Sequence, residues 1–367
     1  MNPLRVAVIG AGHLGRIHAR LAAALEGVKL VAVADPVEAA RTAVAQEANT
    51  RSVADYHELI GKIDAAIIAT PTTYHHAVGM ELLHAGIPLL IEKPIALNSA
   101  QGTDLVNLAR QKGLALQVGH VERFNPALDA IAADIHDPKY IEGTRTSGYT
   151  FRSTDVSVVM DMMIHDIDIV LALVKSEIVD VRAMGFSVLG GTEDMATAHL
   201  TFASGCVAQL TTSRVSFQQR RTMSIFTGQC SAAINFATFE ASVVKPSDEV
   251  LQRKFCVEKL SAEERAYWKE HVFDKLLIRS TRDTKAVNAI QEEQRDFVKA
   301  IRTGRSPRVD GAAGRDAVAV AEMILERIAD HAWDGTPTGR RGALAMPMHP
   351  AIAGTTVADR PELRRAG

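Results

Sequence analysis

Gly10-Ala11-Gly12-His13-Leu14-Gly15 lets a backbone turn tightly and come close to a charged group. Free N–H groups where a helix opens would face a pyrophosphate. Asp35 stands twenty positions beyond Gly15. A carboxylate there can take both hydrogens of a ribose diol and repels a 2′-phosphate. The pair reads as an NAD site in preference to an NADP site, and Arg41 is the nearest cation that would weaken that preference. A glycine turn without a nucleotide is the bland alternative.

Glu92-Lys93-Pro94 is a second such group. An ammonium at a strand end beside the nicotinamide can hydrogen-bond a hydroxyl and stabilise the alkoxide that forms as hydride leaves. Pro94 would fix the direction of the peptide, cis or trans. Away from such a sheet, Lys93 would be a solvated surface charge. Asp161-Met162-Met163-Ile164-His165 sets a carboxylate and an imidazole four apart on one helix face, with Asp166 and Asp168 on neighbouring faces. In isolation this pair reads first as a capped or solvated one. No second His-rich or carboxylate cluster completes a metal site, so no metal is expected.

The elements that must position these groups follow from periodicity. Apolar runs at Leu4–Ile9, Leu30–Ala34, Ala65–Ala69, Leu89–Ile91 and Leu114–Val118 alternate with helical segments. This describes parallel strands buried on both faces and joined by right-handed crossovers. Each polar signature within this region falls at a strand's carboxyl end, where such sheets bind ligands. After His120 the pattern changes. A helix is predicted at Asn125–Ile135, a strand at Ile141–Arg152 and a helix at Val158–Lys175. Strands follow at Val179–Phe186, Ala196–Phe202, Val207–Ser213, Met223–Thr227 and Ala232–Phe236, with turns that favour antiparallel neighbours.

Residues 250–285 look like a charged insertion or edge excursion, and helices are predicted at Ala286–Thr303 and Ala312–Asp330. The expected fold is α/β. A Rossmann dinucleotide-binding domain (1–121) precedes an α+β domain with a mainly antiparallel open sheet (122–333), and a flexible tail or partner arm follows (334–367).

Lys+Arg and Asp+Glu number 41 and 43, a net charge of −2, which supplies no field for gathering nucleic acid. No apolar run reaches the roughly 18 residues of a membrane helix. The start of the chain lacks a secretory pattern. Cys206, Cys230 and Cys256 form no CxxC pair and suit packing in a reducing compartment, so a cytoplasmic protein is expected.

Arg123 and Asn125 leave the fifth strand near the cleft, and a guanidinium suits bidentate contact with phosphate or carboxylate. Arg214, Arg220 and Arg221 are further diphosphate candidates, or else solvated edge charges.

The glycine turn, Asp35, Thr70-Pro71-Thr72 with His75, Glu92-Lys93-Pro94 and the Asp161–His165 pair, in this order, closely resemble the Gfo/Idh/MocA oxidoreductases over residues 3–330. The resemblance implies a Rossmann domain, an open-sheet second domain and a homodimer or homotetramer built sheet to sheet. It places Gly10, Gly12, His13, Leu14, Asp35, Thr70, Pro71, Thr72, His75, Glu92 and Lys93 at NAD. Lys93 and His165 flank the reacting carbon, and Asp161 binds or orients the substrate. Arg123, Asn125, Asp161, His165 and Arg214 are the expected substrate contacts.

The phrase Val118 to Pro126, with Met162 to Asp168, resembles the UDP-N-acetylglucosamine 3-dehydrogenase branch. Enzymes of that branch make a 3-keto sugar that a partner aminotransferase converts to a 3-amino sugar for lipid A. His165, with a pKa near neutrality, is the expected base, although the sequence does not separate it from Lys93. A free-sugar or inositol dehydrogenase, a redox-neutral glycoside-cleaving relative and a non-catalytic NAD sensor are the rival readings.

Overall fold

A computed structural model describes residues 2–151, 154–336 and 338–346. The first sheet is built from β1 (Leu4–Ile9), β2 (Val28–Ala34), β3 (Arg51–Val53), β4 (Ala65–Ile68), β5 (Leu89–Glu92) and β6 (Leu116–Gly119). Its order is β3-β2-β1-β4-β5-β6, and every pairing is parallel. The order reverses between β1 and β4, which opens a crevice at their carboxyl ends.

Helices α1 (His13–Ala23), α2 (Glu38–Glu47), α3 (His75–His84) and α4 (Ser99–Lys112) make the crossovers. Local chemistry sets their ends: Asn98 caps α4 by accepting from the Gln101 N–H, and left-handed Gly113 stops it. Every residue of β4, β5 and β6 is buried. Each fully buried Ile or Leu there contributes about 1.5–3 kcal/mol.

The chain continues through α5 (Pro126–Ile131) and β7 (Tyr140–Thr146). A π-helical turn, Val159–Met163, runs directly into α6 (Ile164–Val174). Next come β8 (Ile178–Phe186), β9 (Met195–Phe202), β10 (Val207–Ser213), β11 (Arg220–Phe226), β12 (Ser231–Asn235) and β13 (Glu240–Pro246). The short helix α7 (Asp248–Leu251), α8 (Ala262–His271) and β14 (Leu277–Arg282) follow.

This second sheet has the order β14-β13-β12-β11-β7-β10-β9-β8 and is antiparallel except where β10 pairs with β7. Alternation decides its faces. In β9, Ala196, Ala198, Leu200 and Phe202 are buried while Thr197, His199 and Thr201 are half-buried. The segment expected as a charged insertion or edge excursion supplies α8 and the edge strand β14.

The last helices, α9 (Ala289–Thr303) and α10 (Gly311–Asp330), return to the first sheet. A Cβ on Gly311 or Gly314 would lie 2.5 Å from Leu116 or Val118, so α10 sits tightly on β6. The Val118 N–H donates to the Val309 carbonyl just before α10. α10 also packs on α6 and β8 and so touches both sheets.

Part of the tail expected to be mobile is folded. Ala332 bridges Arg341, the Trp333 indole N–H donates to the Gly342 carbonyl, and the Ser187 N–H donates to the Ala343 carbonyl. Residues 347–367 of that tail lie outside the described residues. Among the described residues, no helix is long and apolar enough to cross a membrane.

Candidate active site

At the end of β1, Gly10 has φ +102°, and a Cβ there would meet the Ala69 carbonyl oxygen at 2.6 Å. Gly12 caps α1 with no side-chain partner, and a Cβ on it would meet open space. The first N–H groups of α1 are thus available to an anion. His13 and Leu14 are exposed on that turn.

Asp35 directly follows β2, its carboxylate pinned over the turn. Oδ2 accepts from the Ala11 N–H at 2.7 Å, and Oδ1 accepts from the Val37 N–H at 2.8 Å. Each oxygen keeps a further lone pair for a diol. Arg41 donates to the carbonyls of Pro36 and Asp35 and makes no contact with that carboxylate. A cavity of about 570 Å³ opens here between Gly10, Asp35, Val37, Tyr56, Pro71 and Tyr74. The Thr70 hydroxyl, whose residue also lines the cavity, is buried without a partner. Glycine cradle, carboxylate and orphaned hydroxyl all fit a dinucleotide.

Two residues expected at the cofactor turn inward instead. His75 is buried, its Nδ1 2.9 Å from the Pro94 carbonyl and its Nε2 2.9 Å from the Thr70 carbonyl, tying the ends of β4 and β5 together. Glu92 is buried, with Oε1 2.7 Å from His18 Nε2. Thr72 opens a short 3-10 turn at the rim.

Beyond β5, the Lys93–Pro94 peptide is cis. Lys93 Nζ donates to Asp161 Oδ1 at 2.9 Å and to the Asp161 carbonyl at 2.6 Å. Asp161 lies on the π turn, not on a regular α-helix as the spacing had suggested. His165 follows at the start of α6, half-buried, with its Nδ1 enclosed and unpartnered. The structure therefore brings Lys93, Asp161 and His165 together where the two sheets meet. His165 is not near neutrality: burial first, then the Lys93 and Arg145 charges, hold its pKa well below the usual 6.5.

His120 was overlooked. It directly follows β6, is wholly buried, leaves both ring nitrogens unpartnered and stands edge-on to His165 with centroids 6.2 Å apart. Its signal was available, because it closes a strand at the carboxyl edge. Arg145 was also missed. Its buried guanidinium donates to Glu122 and to both oxygens of Asp166. An arginine in the middle of a strand carries no motif.

Two substrate expectations change. Asn125 is a buried helix cap, accepting from the Ala127 N–H and donating to Glu122 and the Phe236 carbonyl. Arg214 is buried and directs its donors to Asp194, Thr192 and the Val156 carbonyl, a structural pairing in place of a diphosphate contact. Arg123 pairs with Asp168 at 3.2 Å. Arg220 and Arg221 remain exposed at the start of β11.

Two family descriptions match the chain: an oxidoreductase family with an NAD-binding Rossmann fold over residues 4–120, and the GFO/IDH/MocA C-terminal domain over residues 129–232. The chain belongs to the Gfo/Idh/MocA oxidoreductase family. Within this family it is 34% identical, over 88% of its own length and 97% of the relative's, to UDP-N-acetylglucosamine 3-dehydrogenase of Acidithiobacillus ferrooxidans. The solved structure of that enzyme, GnnA, superposes with a TM-score of 0.79 at 32% identity, covering 89% of this chain and 98% of that one. A scyllo-inositol 2-dehydrogenase (NAD(+)) of Bacillus subtilis is 33% identical over 59% of this chain and 68% of its own length. NAD is the cofactor of this Gfo/Idh/MocA chain, as its Rossmann half and the Asp35 carboxylate require.

Proposed function

We propose that this chain oxidises a secondary hydroxyl of a nucleotide sugar, a UDP-N-acetylhexosamine at C3, to the 3-keto sugar. The carrying observation is Lys93 Nζ held by Asp161 at 2.9 Å, at the carboxyl end of β5, with half-buried His165 one helical turn on from Asp161. A 34% identity to a UDP-N-acetylglucosamine 3-dehydrogenase over 97% of that enzyme's length supports the substrate class. NAD supplies the hydride acceptor when bound.

The chain's own residues handle the proton and the charge. The Lys93 ammonium donates a hydrogen bond to the substrate oxygen and stabilises the negative charge that grows there. Asp161 aims that ammonium and, half-exposed, offers an acceptor to a neighbouring hydroxyl. His165, kept neutral by burial and nearby cations, takes the hydroxyl proton while the carbon loses its hydride. One C–H and one O–H bond break and a C=O bond forms. Arg220 and Arg221, exposed at the head of β11, are the cations offered to a diphosphate.

The 3-keto product suits an aminotransferase that makes a 3-amino sugar, and we place this step in the cytoplasm upstream of lipid A. We assign the open second sheet to a homodimer or homotetramer contact.

Purified protein with NAD, screened against UDP-, GDP- and dTDP-sugars and free polyols, tests the reading. UDP-N-acetylglucosamine should give stoichiometric NADH. Turnover of inositols alone would replace the substrate class, recycled NADH would mark glycoside cleavage, and no NADH would mark a sensor. Lys93→Ala should abolish turnover yet leave NAD affinity within about fivefold, because Lys93 acts on charge formed in the transition state. Retained turnover would refute the site.

A further inference from the structure

Behind Lys93 lies a buried polar cluster that hydride transfer does not directly use. His18 on α1, Glu92 on β5, Gln117 on β6, and Glu293 and Gln294 on α9 are all at most 5% exposed. Groups of this kind cost stability in a core unless hydrogen bonds repay the desolvation. Most of these bonds are present and run in one direction.

Gln294 Nε2 lies 3.0 Å from His18 Nδ1 and donates to the His18 carbonyl at 3.1 Å. The carbonyl contact fixes the amide, since a turned Gln294 would set oxygen against oxygen. His18 Nδ1 is therefore an acceptor, and the ring carries its proton on Nε2. That N–H donates to Glu92 Oε1 at 2.7 Å. Glu92 Oε2 in turn accepts the Lys93 backbone N–H at 3.1 Å. The chain of bonds starts on α9 and ends at the peptide of the lysine facing Asp161.

Glu293 stands beside this chain with both carboxyl oxygens buried and unpartnered. Ligand-type atoms of His18, Glu92 and Glu293 lie within 4.8 Å of one another. Two ionised carboxylates at that spacing away from water would repel strongly, so one proton resides on Glu293 and the negative charge on Glu92. The cluster thus presents a single anion to the back of Lys93.

We propose that His18 and Gln294 are positioning residues for Lys93, holding the Glu92 carboxylate so that it fixes the lysine's peptide and aims its ammonium at Asp161. This rests on the reading of Lys93 as the group that meets the substrate oxygen. Lys93 is faced by Glu92 from its own strand, by Asp161 from the π turn, by His165 from α6 and by His120 after β6. Glu92 is the one of these that α9 governs.

His18→Leu and Gln294→Leu, each in the full-length protein with NAD and the sugar that supports turnover, test this. Both should lower kcat about 10- to 100-fold, the scale of a small misplacement of a reacting group. NADH affinity, read by fluorescence titration, should stay within about twofold, because neither side chain lines the dinucleotide cavity. In His18→Leu the acid limb of kcat should also move to higher pH, since Glu92 without its His18 donor is protonated more easily. His18→Gln, which keeps an N–H donor of similar reach, should recover most of kcat.

A wild-type pH profile with kcat falling only in proportion to the fraction that binds NADH would reduce these residues to folding roles and overturn the proposal. A divalent ion found at one per chain in the purified protein and removable by chelator would overturn it too, because His18 Nε2 would then be a ligand and not a donor. If Lys93→Ala itself turns over, the site reading fails, and the two failures are distinct.

Discussion

The charges that act most on His165 are cationic. Desolvation opposes protonation of the ring first, and the Lys93, Arg145 and Arg221 charges oppose it further. A base must be deprotonated to act, and a pKa well below 6.5 keeps this ring deprotonated across the neutral range. The acid limb of kcat/KM should therefore fall below pH 6.5, with a flat profile from there toward pH 8. A rate that halves near pH 6.5 would show that another group accepts the proton. At this scale the sequence revealed Lys93, Asp161 and Asp35, because each ends a strand or carries a motif. It did not reveal the inward turns of Glu92 and His75 or the capping role of Asn125. Those depend on partners, His18, Pro94 and Phe236, that only the folded chain brings near.

The glycine turn works as one unit with the strand before it and the helix after it. A Cβ at position 15 would lie 2.0 Å from the Gly10 carbonyl oxygen, closer than any contact relaxes without moving backbone. Gly15→Ala should push α1 away from β1, cost about 1–3 kcal/mol of stability as overpacking does, and weaken NAD binding at least about tenfold by turning the N–H groups off the phosphate. Urea unfolding and NADH fluorescence read the two effects separately. An alanine variant with wild-type affinity would mean that the turn does not hold the phosphates. Elements with strong periodicity, β1, β4, β5, α4 and α10, were legible. The edge strands β3 and β14 and the neighbouring β13 were not, because each leaves part of its surface open and carries charge among its apolar positions. The π turn was hidden too: a widened turn changes hydrogen bonding without altering which residues are apolar.

Over the whole molecule, α9 and α10 close the fold by packing on the sheet that the chain built first. α9 has a marked apolar face, yet it buries Glu293 and Gln294 within that face beside Phe297 and Val298. Burial, then the Glu92 charge, then Asp296, push the Glu293 carboxyl well above its usual 4.5. The consequence is a pH-dependent stability with a definite sign. Above pH 4.5 the unfolded chain has lost this proton while the folded chain keeps it, so rising pH favours unfolding until the folded value is reached. Glu293→Gln cannot ionise and escapes that loss. Its stability relative to the parent should improve with pH by about 1.4 kcal/mol per unit above 4.5. Urea unfolding of both proteins between pH 4.5 and 7.5 measures the difference. A pH-independent difference would mean that Glu293 ionises in the fold as it does in water, and the single-anion picture of the cluster behind Lys93 would fall with it.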